Sequence, residues 1–261
     1  MKIFAISDMH SYLTPTLNAL KDAGWDENNP EHIIVVCGDA LDRGDETAEM
    51  VEWLINLINK GKLIYVRGNH DILMQEMLDR GYSMSHDKHN GTQKSYYQLL
   101  NAHVNKMDGR KPDEIVRAVL QPLYDNMVNY WETERFVFVH SWIPTHKKEK
   151  PHSANKWIPL TIDEYMEDWR EANDVEWESA TWGDPFKMAE QGLNKTGKVL
   201  CVGHWHCSSG WAKEEGRSEF GEDAKWDIFK DEKHNVIFLD KCTVHTGLVN
   251  VLVIKDEFIN G

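Results

Sequence analysis

Side chains capable of binding metal ions follow five separate apolar runs in this sequence. Each run is short and rich in β-branched or aromatic residues, which is typical of a buried strand. Carboxylate, amide and imidazole groups together form the ligand set of divalent metals such as Mn²⁺, Fe and Zn²⁺. Seven ligands are too many for one tetrahedral ion, and a shared carboxylate would allow the set to hold two ions. The residues at the five ends are Asp8 and His10, Asp39, Asn69, His140, and His204 with His206.

Two divalent ions held about 3.5–4 Å apart generate a hydroxide at neutral pH and stabilise both the attacking and the leaving oxygen of an in-line displacement. The stretch from Gly38 to Gly44 adds to this chemistry, because it places Asp39, Asp42 and Arg43 between glycines directly after an apolar run. Taken alone, such a stretch is equally compatible with a solvated turn. The other four strand ends favour a functional site.

The elements that position these residues alternate between strand and helix. Apolar runs predict strands over residues 2–7, 33–37 and 63–66. Between them, Thr14 and Pro15 predict a helix that stops at Gly24, and Asp45 predicts the cap of a second helix that stops at Gly61. This order is typical of parallel βαβ units, whose ligand sites lie beyond the carboxyl ends of the strands.

The rest of the chain predicts further strands and two insertions. Residues 72–127 have a helical pattern without motif residues, and strands are predicted over 136–139, 198–202, 236–239 and 248–254. Thr161 and Glu164 form a capping box that predicts a helix, and residues 208–227 are predicted to form a loop. We therefore expect one domain over residues 1–261, with insertions at about 82–130 and 141–196.

The composition excludes several classes of protein. The formal net charge of −14 and the pI near 5.3 disfavour a partner of polymeric nucleic acid, which requires a basic surface. The four cysteines form no CxxC pair, which favours a reducing compartment. Because no apolar run approaches the ~20 residues of a membrane span and residues 3–6 are too short for a signal-peptide core, we expect a cytoplasmic protein without a membrane partner.

The motifs as a set resemble those of the calcineurin-like metallophosphoesterases. The first three are most similar to the phosphoprotein-phosphatase branch, which includes serine/threonine phosphatases and related bacterial and phage enzymes. The resemblance implies an α/β fold, a four-layer sandwich of two mixed sheets flanked by helices. The motifs are Asp8-x-His10, Gly38-Asp39-x-x-Asp42-Arg43-Gly44, Gly68-Asn69-His70-Asp71, His140, Gly203-His204-x-His206 and Trp182-Gly183-Asp184-Pro185.

The resemblance also implies a role for each motif residue. Two divalent ions are expected, with Mn²⁺ foremost and Fe or Zn²⁺ as alternatives, and a hydroxide between them would attack phosphorus directly. His70 would protonate the leaving alkoxide, Asp42 would orient His70, and Arg43 would bind phosphate oxygens. The implied ligands are Asp8, His10, Asp39 and His206 for one ion, and Asp39, Asn69, His140 and His204 for the other.

The expected activity is hydrolysis of phosphate monoesters on proteins or small molecules, as in a serine/threonine phosphatase. Three features differ from the phosphatase branch. His140-Ser141-Trp142 replaces its usual His-Gly-Gly, and His206 is a second histidine more typical of the wider superfamily. The Asn-Asp-Arg-Gly motif, which carries a further phosphate-binding arginine in eukaryotic-type phosphatases, does not follow Trp182. A dinucleoside-polyphosphate hydrolase or phosphodiesterase is therefore an alternative. A catalytically silent metal-binding scaffold is a further alternative, although it would have no need of His70 or Arg43.

Overall fold

Two five-stranded sheets form the centre of the protein in a computed structural model, which describes residues 1–103, 109–149 and 161–255. In spatial order the first sheet contains Leu252–Lys255 (β12), Lys2–Ile6 (β1), His32–Cys37 (β2), Leu63–Val66 (β3) and Met127–Val128 (β4). The second contains Phe229–Asp231 (β10), Val236–Phe238 (β11), Val199–Val202 (β9), Phe136–Phe138 (β6) and Trp131–Glu132 (β5).

Both sheets are mixed, and their inner strands are parallel. β1 to β4 run parallel, with β12 antiparallel to β1 at one edge. In the second sheet β6, β9 and β11 are parallel, with β5 and β10 antiparallel at the two edges. The predicted mixed sheets are confirmed. The five strands that precede the candidate ligands, β1, β2, β3, β6 and β9, all belong to the parallel part.

Helices cover the outer faces of the two sheets. The segments joining β1, β2 and β3 form helices as predicted, and most of residues 72–127 is also helical. The α-helices are Leu13–Asp22 (α1), Thr47–Asn59 (α2), Asn69–Arg80 (α3), Ser85–Asn90 (α4), Thr92–His103 (α5), Pro112–Tyr124 (α6), Asp174–Thr181 (α7), Pro185–Glu190 (α8), Cys207–Glu215 (α9) and Thr243–Thr246 (α10), and Trp169–Glu171 forms a 3-10 turn.

Buried apolar side chains form three clusters, because successive side chains of a strand point to opposite faces of the sheet. Ile3 and Ala5 of β1 pack between the sheets, whereas Phe4 and Ile6 point to the opposite face and pack against α1 and α2. One strand therefore contributes to two of these clusters. On the outer face of the second sheet, Val137 packs in a cluster with aromatic residues of the segment before β9. This is the four-layer sandwich that the resemblance implies.

The helix predicted from Thr161 is wrong, because this segment forms a strand. Thr161–Tyr165 (β8) pairs antiparallel with Thr145–Glu149 (β7). Glu164 accepts a hydrogen bond from Lys148 Nζ at 2.9 Å instead of capping a helix, and Asp163 is paired with Lys147. Opposite charges across an antiparallel pair favour the hairpin, and they override the local capping signal.

The loop predicted over residues 208–227 is also partly wrong, because α9 occupies its first half. The helix packs on β10: the rings of Trp211 and Phe229 lie 5.1 Å apart, and a Cβ at Gly210 would lie 2.3 Å from Phe229 Cδ1. Because this packing joins segments that are distant in the sequence, no local periodic pattern indicated the helix. The last strand is shorter than predicted, since it begins at Leu252.

The two N-terminal helix caps differ from the prediction. α1 begins at Leu13, and the backbone N–H of Thr14 donates to the Glu46 carboxylate at 3.0 Å. α2 begins at Thr47, and Asp45 forms an ion pair of 2.7 Å with Lys94 instead of capping the helix. The Glu46 carboxylate, in the loop between β2 and α2, therefore accepts a hydrogen bond from a backbone N–H in the first turn of α1. This contact links that loop to the start of α1.

The four cysteines are free, and three of them are buried. Burial raises the pKa of the Cys37 thiol and of the Cys201 thiol well above the usual value, so these thiols are neutral packing groups. In the ranges that the structure describes, every helix is too short or too polar to pass through a bilayer.

Leu20 and Leu17 of α1 provide a matched test of the first core. Leu20 is fully buried whereas Leu17 is 41% exposed. We expect Leu20→Ala to lower the free energy of unfolding by about 2–5 kcal/mol, because it removes contacts and leaves a cavity. Leu17→Ala should change it by less than about 1 kcal/mol. Urea denaturation of both variants checks this, and equal destabilisation would contradict the packing of α1 described above.

Candidate metal centre

The loops after β1, β2, β3, β6 and β9 meet at one edge of the sandwich. Asp39 lies near the middle of this junction, and its Oδ1 accepts a hydrogen bond from the backbone N–H of His70 at 3.0 Å. From the second sheet, His140 Nε2 lies 3.5 Å from the same oxygen. It also lies 2.8 Å from Asn69 Oδ1 and 3.2 Å from His204 Nδ1.

Two groups of potential ligand atoms share the Asp39 carboxylate. One contains His10, Asp39 and His70, and the other contains Asp39, His140 and His204, with all ligand atoms of a group within 4.8 Å of one another. All of these side chains are buried except that of His204, which is partly exposed. A carboxylate common to two adjacent groups is the arrangement expected of a bridging ligand.

The tautomers of two histidines show that acceptor atoms converge at this site. His10 Nδ1 lies 3.0 Å from the Leu41 carbonyl oxygen and His140 Nδ1 lies 2.8 Å from the Cys37 carbonyl oxygen. A carbonyl can only accept, so each Nδ1 carries the proton and each Nε2 presents a lone pair. Burial lowers the pKa of both rings well below its usual value. His140 Nε2 and Asn69 Oδ1 are thus two acceptors in contact, an arrangement that suits a cation between them.

The carboxylates of Asp8 and Asp39 also favour a cation at this site. Burial, followed by the charge of Asp39, raises the pKa of Asp8 well above its usual value. Burial, followed by the charge of Asp71, raises the pKa of Asp39. Like charges in a dry site repel one another, and a divalent cation offsets both effects. The donor set and its electrostatics therefore fit divalent metal ions.

Two glycines make room for the ligand side chains. A Cβ at Gly68 would lie 2.1 Å from Asp39 Oδ1, and a Cβ at Gly203 would lie 2.2 Å from Asp8 Oδ2. Both distances are far below van der Waals contact. The glycines of the Gly-Asn-His-Asp and Gly-His-x-His motifs are therefore required by the close approach of carboxylates from other strands.

The backbone at the site adopts a conformation that is uncommon for residues other than glycine. Seven of the nine non-glycine residues with positive φ in the described part of the chain lie in these loops. Such conformations are strained and concentrate at functional sites, although Asp and His tolerate them better than most residues. The seven are Asp8, His10, Ser11, Asp39, Asp42, Arg43 and His204, with φ between 48° and 75°.

His70 is held between Asp42 and Arg43. Its Nδ1 lies 2.8 Å from Asp42 Oδ2, and Arg43 Nη2 lies 3.2 Å from its Nε2. His70 and Asp42 are buried, whereas the Arg43 side chain is exposed. The imidazole is therefore oriented by a carboxylate on one side and lies next to an accessible cation on the other.

Three of the predicted ligands, Asp8, Asn69 and His206, lie outside the two groups that the described residues form, but Asn69 Oδ1 contacts His140 of the second group. Asp8 Oδ2 accepts a hydrogen bond from the backbone N–H of His204 at 3.0 Å, which attaches it to the edge of the site. His206 Nδ1 lies 2.9 Å from Ser208 Oγ, and its Nε2 lies 3.5 Å from Glu219 Oε1. Its ring packs near Phe220, with 4.9 Å between centroids. The structure thus brings together five of the predicted ligands, Asn69 included, and all three predicted catalytic residues.

Some residues that shape the site were not identified from the sequence. Asp71 accepts hydrogen bonds from Gly68 N at 2.8 Å and from the Tyr65 hydroxyl at 2.9 Å, which fixes the start of α3. Its place at the end of the Gly-Asn-His-Asp motif was the available signal. Thr92 and Ser95 of α5 contact Asp42. They lie in a segment without motif residues, so no sequence signal indicated them.

Comparison with known proteins identifies the family of this chain. Residues 1–239 match the calcineurin-like phosphoesterase family. The chain is 30% identical over 88 residues to an asymmetrical bis(5'-nucleosyl)-tetraphosphatase of Anoxybacillus flavithermus, a similarity that covers 31% of the chain and 36% of the length of that protein.

Two solved structures have a similar fold. A cold-active protein tyrosine phosphatase has 13% identity and a TM-score of 0.53, over 98% of this chain and 74% of that one. A protein serine/threonine phosphatase of Saccharomyces cerevisiae has 13% identity and a TM-score of 0.50, over 91% and 66%. The match over residues 1–239 shows that the chain belongs to the calcineurin-like phosphoesterase family.

Proposed function

We propose that this chain is a dinuclear-metal-dependent phosphatase that hydrolyses phosphate monoesters on proteins or small molecules, in the manner of a serine/threonine phosphatase. One ion would be held by Asp8, His10, Asp39 and His206, and the other by Asp39, Asn69, His140 and His204. The position of Asp39 in both ligand groups supports its role as the shared ligand. Mn²⁺ is the proposed metal, with Fe and Zn²⁺ as alternatives that suit the same ligands.

The contact between His70 and Asp42 carries this proposal. When bound, the metal ions would supply an activated water and would stabilise charge on the phosphate. The protein must then supply a proton to the departing alkoxide. His70 can do so from Nε2, because the Asp42 carboxylate lies 2.8 Å from Nδ1 and fixes the orientation of the ring.

Arg43 completes the proposed phosphate site. Its guanidinium is exposed, lies beside His70 Nε2 and offers paired N–H donors that match phosphate oxygens. A phosphate bound by Arg43 would therefore place its ester oxygen close to His70. The cation also offsets locally the negative charge of the chain, which is −14 overall, so an anionic ester can enter.

A dinucleoside-polyphosphate hydrolase is the second candidate. It is supported by the partial similarity to a bis(5'-nucleosyl)-tetraphosphatase. A silent metal-binding scaffold is less well supported, because an oriented proton donor next to the ligand groups has no use in a scaffold. The proposal places the enzyme in the cytoplasm, in keeping with its four free cysteines.

A substrate panel distinguishes these candidates. The manganese-loaded protein would be assayed on p-nitrophenyl phosphate, its bis-ester, a phosphothreonine peptide, a cyclic nucleotide and diadenosine tetraphosphate. We expect the highest kcat/KM on the monoesters. Preference for the tetraphosphate or a diester would overturn the monoesterase proposal in favour of the second candidate, and the absence of turnover on all five would favour the scaffold.

Asp39→Asn tests the shared ligand. The substitution removes the negative charge that both ions would use, so we expect the variant to lose both metal equivalents, as measured by elemental analysis after dialysis. Asp231→Asn is the matched control, because Asp231 also contacts a histidine, His234, but lies outside both ligand groups. Retention of about two equivalents by Asp39→Asn would contradict the bridging assignment.

His70→Ala tests the proton donor. We expect kcat on a phosphothreonine peptide to fall by ~10²–10⁴, the usual contribution of a general acid, while the ions bound through Asp39 remain. His86→Ala provides the control, since His86 is exposed on α4 and lies outside both ligand groups. Steady-state kinetics with metal analysis of each variant gives the answer, and turnover equal to the wild type would exclude the proposed role of His70.

A further inference from the structure

Helix α5 places two hydroxyl groups against the loop that carries Asp42. Thr92 Oγ1 donates to Asp42 Oδ2 at 2.6 Å, and Ser95 Oγ accepts from the backbone N–H of Asp42 at 3.0 Å. All three residues are fully buried. Both the carboxylate and the main chain of Asp42 are therefore held by the first turn of one helix, which lies 50 residues further along the sequence.

Thr92 contacts the same carboxylate oxygen as His70. His70 Nδ1 lies 2.8 Å from Asp42 Oδ2, whereas Oδ1 has no hydrogen-bond partner among the described residues. Two donors on one oxygen restrict the rotation of the carboxylate, and this rotation determines the direction in which the His70 ring is held. Without the hydroxyl, the buried Asp42 carboxylate would keep only one side-chain donor. The loss of this hydrogen bond would cost free energy and would leave the orientation of the carboxylate less well defined.

The turn before α5 also restricts Arg43. A Cβ at Gly91 would lie 2.4 Å from Arg43 N, so the two main chains are in close contact. Lys94 Nζ donates to the Arg43 carbonyl oxygen at 2.8 Å. The contacts of Thr92 are thus part of a wider contact between α5 and the loop of Asp42 and Arg43.

Ser95 belongs to a chain of buried hydroxyls that anchors α5. Ser11 Oγ lies 2.9 Å from Thr47 Oγ1, and Thr47 Oγ1 donates to Ser95 Oγ at 3.3 Å. These residues connect the loop after β1, the start of α2 and the start of α5. Because its hydrogen bonds link three elements, the first turn of α5 is a rigid support for Asp42.

We propose that Thr92 is a positioning residue for His70 and acts through Asp42. This inference rests on the proposed function, in which His70 donates a proton to the leaving group. The Thr92 hydroxyl contacts Asp42, which lies outside both ligand groups. His70 lies in the first group but is not one of the seven proposed ligands. Loss of the hydroxyl should therefore impair proton transfer and leave metal binding intact.

Two substitutions separate the hydrogen bond from packing. Thr92→Val keeps the shape of the side chain and removes the hydroxyl, whereas Thr92→Ser keeps the hydroxyl and removes the methyl group. A phosphothreonine peptide needs a proton on its leaving oxygen, but p-nitrophenolate leaves without one. We expect Thr92→Val to lower kcat on the peptide about tenfold more than on p-nitrophenyl phosphate, with KM and metal content unchanged, and Thr92→Ser to retain the wild-type ratio.

Equal losses on the two substrates would overturn the inference, and so would a Thr92→Ser protein as impaired as Thr92→Val. Thr92→Cys gives the same comparison if the valine variant folds poorly, because cysteine is of similar size and only a weak donor. Its expected selectivity lies between those of valine and serine.

A spectroscopic measurement on the metal-free protein tests the same contact without activity. The imidazole ¹⁵N resonances of His70 report its tautomer and the hydrogen bond at Nδ1. Thr92→Val should shift the Nδ1 resonance and Thr92→Ser should not, and an unchanged spectrum for both would overturn the inference. If His70→Ala keeps full turnover, the proposed function fails on its own ground. If His70→Ala is impaired while Thr92→Val is not, only the positioning role fails.

Discussion

The site depends on the close approach of loops from two sheets to one buried carboxylate. Asp39 leaves β2 in the first sheet, yet its Oδ1 lies 3.5 Å from His140 Nε2, which follows β6 in the second. The approach is possible because the loop after β3 passes the carboxylate at Gly68, where no side chain intervenes. Asp39 and the other residues with positive φ in these loops adopt a strained conformation that concentrates at functional sites.

The sequence predicted the position of a site residue correctly where the residue follows a parallel strand. Asp39, Asn69 and His140 each follow a parallel strand directly, so the strand ends alone predict that they meet. The sequence-based prediction failed where contacts between distant segments determine the secondary structure. Charge pairs across β7 and β8 favour a hairpin over the helix predicted from the capping box. Packing of Trp211 on Phe229 accompanies helix α9 in a segment predicted to be a loop. His206 is held by Ser208, two residues along the chain, and by Glu219 in the segment after α9.

The helical segment between β3 and β4 has a wider role than its lack of motifs indicates. Its helices complete the outer layer of the first sheet, in which Leu99, Val116 and Leu120 are buried, and the first turn of α5 supports the loop of Asp42. Hydroxyl groups that support a functional side chain are ordinary serines and threonines in the sequence. Three-dimensional contact is the only property that distinguishes them from the rest.

The convergence of acceptor atoms from both sheets also has a consequence for folding. His140 and His204 belong to the second sheet, and Asp39 belongs to the first, so any cation that they share joins the two halves of the sandwich. Without it, two acceptor atoms, Asn69 Oδ1 and His140 Nε2, face each other across the junction. A ligand that binds only the folded state stabilises that state in proportion to its concentration. A cation bound at this junction would thus contribute to the stability of the folded protein as well as to its activity.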